Sequence, residues 1–182
     1  MKTMSVRRMA FSAAVAAVYA ALTMFLAPLS YGPLQLRLSE ALCILPFFFP
    51  YTAWGLYVGC IIANLLSQFG MLDVVFGSLA TLLAGLCSAW LGKKHRDSWL
   101  RGILSCLMPV LFNALLIGAI IAVSTTKEFY SAPTWLIFAI NALQVGLGEA
   151  VVMFAIGLPL TRLLPKQAFF QTISDQINGE SS

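Results

Sequence analysis

Arg37, Glu40, Asp73 and Glu149 lie within or at the ends of long apolar runs. A charged side chain near mid-membrane costs about 2.5 to 3.5 kcal/mol on insertion scales, so each one calls for a partner or a task. Amides accompany them at Asn64, Gln68, Asn113, Asn141 and Gln144. Such a set can serve chemistry in two ways. Glu149 and Asp73 could act as acid and base on a substrate, or the whole group could hold a polar ligand by hydrogen bonds alone. The same groups could also satisfy one another, with an ion pair from Arg37 to Glu40 or Asp73 and amides bonding between helices. The number of acceptors gathered at similar depth favours a ligand over packing. Around the last apolar helix, at 100° per residue, Asn141, Gln144, Gly148 and Glu149 fall within an arc of about 140°. One broad face thus offers two amides, a bare backbone patch and a carboxylate, an arrangement suited to a planar polar molecule.

Catalytic motifs are missing. The single histidine, His95, sits among the charges of 93–97, where it reads as part of a solvated basic loop. There is no H-E-x-x-H pair for zinc, no G-x-S-x-G nucleophile elbow and no G-x-x-x-x-G-K-[ST] phosphate loop. Active transport by this chain would therefore draw its energy from a partner. Cys43, Cys60, Cys87 and Cys106 fall inside apolar stretches without C-x-x-C spacing and read as small packing residues. No metal or cofactor is expected.

The elements that must position these residues are membrane helices. Of the 182 residues, 60% are hydrophobic and 10% charged, against roughly a quarter charged in soluble domains. Apolar segments run from about 6 to 27, 38 to 49, 51 to 69, 72 to 92, 99 to 124 and 133 to 164. The first could be mistaken for a signal peptide, but its 22 residues read as a retained helix. Pro46 and Pro50 leave open whether 38–69 is one kinked helix or a short helix followed by another.

Charge placement separates these alternatives. Six segments put Lys2, Arg7, Arg8, Lys93, Lys94, Arg96, Arg101, Arg162 and Lys166 on one side and leave Arg37 and Lys127 opposite, nine against two; five segments give seven against four. The positive-inside rule selects six, with both termini cytoplasmic. Trp54, Trp90 and Trp99 then fall near the inner interface and Trp135 near the outer one. The net charge of +4 is thus a topology signal, not a nucleic-acid footprint. A second helix this short spans only about 17 Å, so the Pro28 to Ser39 connection must fold inward to cover its outer end, and a site beneath that loop is expected.

The first helix carries overlapping small-xxx-small rows through Ala10, Ala13, Ala14, Ala16, Ala17, Ala20 and Ala21. Such rows allow close helix approach, either within this chain or to a different membrane subunit.

Several runs resemble one family. They are Arg37-Leu38-Ser39-Glu40-Ala41-Leu42, then Leu45-Pro46-Phe47, the stretch from Gly55 to Leu65, and Asp73-Val74-Val75-Phe76-Gly77-Ser78-Leu79, continued in Phe112-Asn113-Ala114 and in Asn141 to Glu149. The pattern, over about 10–165, resembles the QueT family of S components of energy-coupling factor (ECF) transporters. The resemblance implies an all-α, polytopic protein with six transmembrane helices, a short second helix and an inward-folding first loop that acts as a gate. The membrane segments read as a single domain over 1–166, and the polar stretch 167–182, which lies outside the resemblance, is expected to be a mobile cytoplasmic tail. The protein would sit in the cell membrane and capture a queuosine precursor, a 7-deazaguanine base. It would dock on a transmembrane coupling subunit bearing two ATPases through Ala10, Ala13, Ala14, Ala17, Ala20 and Ala21.

The expected ligand contacts are Arg37, Glu40, Asn64, Asp73, Asn113, Asn141, Gln144 and Glu149. The base offers N1–H and an exocyclic amine side by side, a donor pair that one carboxylate can accept. Glu40, Asp73 or Glu149 could be that carboxylate, with Tyr31, Phe47 or Tyr57 available to stack. The rivals are an S component for a vitamin or another heterocycle, a membrane enzyme, and a structural subunit whose polar cluster only packs helices.

Overall fold

The computed structural model describes residues 5–32, 35–94, 98–126 and 133–178. His95, Lys2, Arg96, Lys127 and part of the first connection, Pro33 and Leu34, lie outside the described residues. Among the described residues every regular element is helical and there is no strand.

Helix α1 (Val6–Phe25) buries Ser12, Val15, Ala16, Tyr19, Ala20 and Thr23, one stripe at steps of three and four. After a single helical turn at Ala27–Ser30, the chain reaches α2 (Leu38–Phe48), whose residues Leu38–Ile44 wind as a tight 3-10 helix before one α-turn at Leu45–Phe48. Pro46 sits in the first turn of that α-segment, where its missing N–H costs nothing. Pro50 falls in the break before α3 (Thr52–Asn64), so 38–69 is two helices and not one kinked helix.

Helix α4 opens with a π-turn, Asp73–Gly77, and continues as Ser78–Lys94. Helix α5 (Trp99–Thr126) tolerates Pro109 in its interior. Helix α6 runs Thr134–Val152, passes through a second π-turn at Met153–Gly157 and continues to Leu163.

Among the described residues, four spans are long and apolar enough to cross a membrane: Val6–Phe25, Asp73–Lys93, Trp99–Ser124 and Thr134–Lys166. Six were expected. The shortfall lies in α2 and α3, because the Pro50 break on one side and the turns after Asn64 on the other leave α3 only 13 residues, or about 20 Å. Large apolar side chains such as Val18, Val58, Leu115, Leu143 and Leu147 face outward around the bundle. An apolar surface of that extent suits lipid rather than water.

Small residues set the helix spacing. A Cβ on Gly59 would lie 2.6 Å from the Ala16 carbonyl oxygen, and one on Gly55 would run into the Ser12 backbone. The Gly55-xxx-Gly59 row of α3 therefore seats on the Ser12-xxx-Ala16 row of α1. This divides the alanines of α1: Ala16 and Ala20 are buried, whereas Ala10, Ala13, Ala14, Ala17 and Ala21 are exposed on the opposite side. Ala20, grouped with the docking face in the sequence, belongs instead to the internal contact, because it lies one turn beyond Ala16 on the same stripe.

The tail expected to be mobile forms a helix, α7 (Ala168–Asn178). Phe170 packs against Phe48 and Phe49 at ring separations of 5.2 and 5.1 Å. Arg7 Nη1 and Arg8 Nη2 donate to the Gln176 and Ile177 carbonyls at 3.4 and 3.2 Å, supplying donors and positive charge to open carbonyls at the helix end.

Candidate ligand-binding site

The site is built where α1, α2, the start of α4 and the middle of α6 meet. Tyr19 and Thr23, one turn apart on the buried stripe of α1, reach the first turn of α2. Thr23 Oγ1 lies 2.6 Å from Ser39 Oγ and donates to its own helix at Tyr19 O. The Tyr19 hydroxyl donates to Glu40 Oε1, and Cys43 Sγ donates to Glu40 Oε2 at 2.9 Å. Both oxygens of this fully buried carboxylate therefore rest on neutral donors.

Arg37 is also buried. Its Nη2 meets Asp73 Oδ2 at 3.2 Å, its Nε donates to the Ser30 carbonyl at 3.4 Å, and its guanidinium lies 5.5 Å from the Tyr31 ring centre. Of the two ion pairs considered from the sequence, the structure makes the one with Asp73. Asp73 opens the π-turn of α4, a local widening often found at functional sites. Asn64, at the end of α3, donates through Nδ2 to the Asp73 carbonyl at 2.9 Å. Gly77 closes this corner: a Cβ there would stand 2.5 Å from Asp73 Oδ1 and 2.8 Å from Asn64 Nδ2. Only a bare backbone leaves those two groups in place.

Glu149 lies buried in α6 with Oε1 lacking any partner. The Asn113 amide of α5 is within hydrogen-bonding reach of its carboxyl, and Glu40 and Arg37 are close enough for their charges to act on it. Asp73 Oδ1 and Asn64 Oδ1 are likewise buried and unpartnered. Six of the eight residues expected at a site thus form one buried polar cluster: Arg37, Glu40, Asn64, Asp73, Asn113 and Glu149.

The remaining two, Asn141 and Gln144, line a separate open cavity of about 350 Å³ together with Tyr31, Gly32, Gln35, Gln68, Phe69 and Ile121. The described part of the first connection overlies it. Tyr31 OH donates to the Ala63 carbonyl at 2.5 Å, and Gln68 Nε2 donates to the Tyr31 carbonyl at 3.3 Å. Gln35 is buried at φ 44°, in the left-handed region that a side chain of its kind seldom adopts. Asn141 spends its amide nitrogen on the Ile137 carbonyl at 2.8 Å.

Of the three stacking candidates, only Tyr31 is at this cavity. Phe47 belongs to the aromatic cluster around Phe48, and Tyr57 packs edge-on to exposed Trp54. Tyr19, Gln35, Cys43 and Phe69 were missed in the sequence. Tyr19 had a signal, since Ser12, Tyr19 and Thr23 put three hydroxyls on one stripe of an otherwise apolar helix. Removing the Tyr19 hydroxyl as Tyr19→Phe should cost about 1.5 to 3 kcal/mol, the usual range for a hydrogen bond to a charged group. Thermal melting in one detergent measures it. The loss should shrink in a Glu40→Gln background, because the two groups share one interaction.

The family model for the QueT transporter matches residues 9–166. The chain belongs to the QueT transporter family. It is also 45% identical over 73 residues to the queuosine precursor transporter QueT of Lactococcus lactis subsp. cremoris (strain MG1363), a match covering 39% of this chain and 43% of the relative. The matched stretch thus spans less than half of that relative's length. No solved structure matches. Both the buried cluster and the separate cavity lie wholly within the range matched by the family model.

Proposed function

We propose that this protein is the substrate-binding S component of an ECF uptake transporter and captures a queuosine precursor, a 7-deazaguanine base, from outside the cell. The observation that carries the reading is the cluster of buried side-chain acceptors, Asn64 Oδ1, Asp73 Oδ1 and Glu149 Oε1, left without partners. Buried polar atoms are nearly always paired, so three orphans in one region mark a place where a ligand completes the network. A guanine-like edge supplies the missing donors. The name of the Lactococcus lactis relative supports the same substrate class.

In this reading α2 and α3 are membrane-embedded, which brings the helices to six and both termini to the cytoplasm, the side favoured by the basic residues. The first connection acts as the gate over the cavity. With no phosphate-binding loop in its sequence, the protein depends on two ATPase subunits acting through a transmembrane coupling subunit. The exposed face of Ala10, Ala13, Ala14, Ala17 and Ala21 is the docking surface for that coupling subunit.

The test is isothermal titration of the full chain in detergent with 7-cyano- and 7-aminomethyl-7-deazaguanine, set against vitamins of similar size. Saturable binding of a deazaguanine, weakened in folded Asp73→Ala or Glu149→Ala variants, is the expected result. Binding of a vitamin instead, or of neither class, would overturn the substrate assignment.

A further inference from the structure

Away from the buried cluster, four basic side chains gather at one end of the bundle. Lys93 lies in the last turn of α4 and Arg101 in the first turn of α5, while Arg162 and Lys166, four residues apart, stand at and just beyond the end of α6. Arg101 Nη1 donates to the Leu91 carbonyl at 3.3 Å, a cap on the open end of α4 that leaves its other donors free. Among the described residues none of the four is paired with a carboxylate.

Two cavities separate these cations. One of about 280 Å³ lies between the start of α5 and the end of α6, lined by Ser98, Gly102, Thr161, Arg162, Pro165 and Lys166, with Phe47 of α2 on its wall. The other, of about 630 Å³, lies between the end of α4 and the start of α5, lined by Trp90, Leu91, Lys93, Leu100, Arg101 and Leu104. Ser98 lines both, so they meet at the start of α5. There the first N–H groups of a 28-residue helix lack partners within the helix, and its dipole adds to the positive potential of the side chains. No carboxylate lines either cavity among the described residues.

Polarity in the larger cavity is sorted by depth. Lys93 and Arg101 stand nearest the helix ends, whereas Trp90 lies three residues further along α4 into the bundle and Leu104 three residues further along α5, about 4.5 Å deeper at 1.5 Å per residue. A soluble anion would use only the basic end. A phospholipid uses both, with its phosphate at the helix ends and an acyl chain along the apolar wall below. Exposed Trp90 and Trp99 set that end at the depth of the headgroups. Basic pockets between membrane helices suit anionic headgroups. A zwitterionic headgroup carries its own cation, which these four side chains would repel.

We infer that the start of α5, with the ends of α4 and α6, holds one anionic phospholipid: its phosphate beside Ser98, its polar headgroup toward Arg162 and Lys166, and an acyl chain against Trp90, Leu100 and Leu104. In the topology proposed above this is the cytoplasmic leaflet, and the site is independent of the solute carried. The test uses the full chain in vesicles where either phosphatidylglycerol or phosphatidylcholine carries brominated chains, which quench tryptophan on contact. A Trp54→Phe, Trp135→Phe variant keeps Trp90 and Trp99 as reporters; a Trp90→Phe, Trp99→Phe, Trp135→Phe variant keeps Trp54, at the same end of the bundle but away from both cavities.

Trp90 and Trp99 should report about a 5- to 30-fold preference for phosphatidylglycerol, the range given by one or two basic side chains at an anionic headgroup. Trp54 should report less than about 2-fold. Adding Arg162→Gln and Lys166→Gln, both at exposed positions, should cut the preference at Trp90 and Trp99 at least about 5-fold while the melting temperature holds. Equal quenching by the two lipids overturns the proposal. The same preference at Trp54 would reduce it to the general charge of the basic end and overturns a built site. A preference unchanged in the glutamine variant overturns the assignment to Arg162 and Lys166. Loss of the preference on adding soluble glycerol 3-phosphate shows that the site takes the free anion and overturns the lipid.

Discussion

Replacing Arg37 by alanine should destabilise the protein by about 3 to 5 kcal/mol, because it strands a buried carboxylate without a counter-charge. Asp73 is 0% exposed, and its Oδ2 has the Arg37 guanidinium as its ion-pair partner, while Oδ1 has no partner at all. Arg37 also donates to the Ser30 carbonyl and lies by the Tyr31 ring, so the first connection loses its anchor in the same step. Thermal melting of the purified chain should show a large downward shift for Arg37→Ala. The decisive comparison is the double variant Arg37→Met with Asp73→Leu. Exchanging both partners of a buried pair for apolar groups of similar volume is often neutral, so the double variant should melt well above Arg37→Ala while losing ligand affinity. A double variant as unstable as the single one would show that the ion pair is not where the stability resides.

The second large effect is expected at Gly92. A Cβ there would overlap the Phe47 carbonyl, and the next nearest atoms are the Phe47 carbonyl carbon and Cα. A flexible side chain could swing away; the backbone of α2 cannot. Gly92→Ala must push α4 and α2 apart, at a cost of about 1 to 3 kcal/mol for overpacking or more if the shift reaches the rest of α2. Gly102→Ala is the control, since its nearest contact would be Thr161 Oγ1 at 3.4 Å. Melting temperatures should fall clearly for the first and hardly move for the second. Because α2 carries Glu40 at its other end, Gly92→Ala should also weaken ligand binding from a position remote from the site.

Much of the bundle was legible in the sequence because membrane helices announce themselves by long apolar runs. The segment from 99 to 124 emerges within two residues of its helix, and Pro50 marks a break because the residue before a proline is driven from helical geometry. The site was legible in outline for a related reason: in an apolar chain every buried charge is conspicuous, and Arg37, Glu40, Asp73 and Glu149 do converge. Their division of labour was not. Nothing in the spacing says that Asn141 and Gln144 face an open cavity while Asn113 turns to Glu149, because a helical wheel gives an angle and not the identity of the neighbour across the interface.

The tail hides its helix for another reason. Phe169, Phe170, Ile173 and Ile177 recur at helical spacing, a period that the polar residues between them mask. The dual use of α1 was half legible: its alanines could serve an internal or an external contact, and the structure turns Ala16 and Ala20 inward and leaves the other face open.

The two guanidinium contacts between α1 and α7 join positions 169 apart in sequence. They close the polypeptide into a noncovalent ring, with the start of the first membrane helix fastened to the end of the last helix. Swinging the start of the alanine-faced helix outward would mean breaking both contacts or drawing the end of α7 along with it.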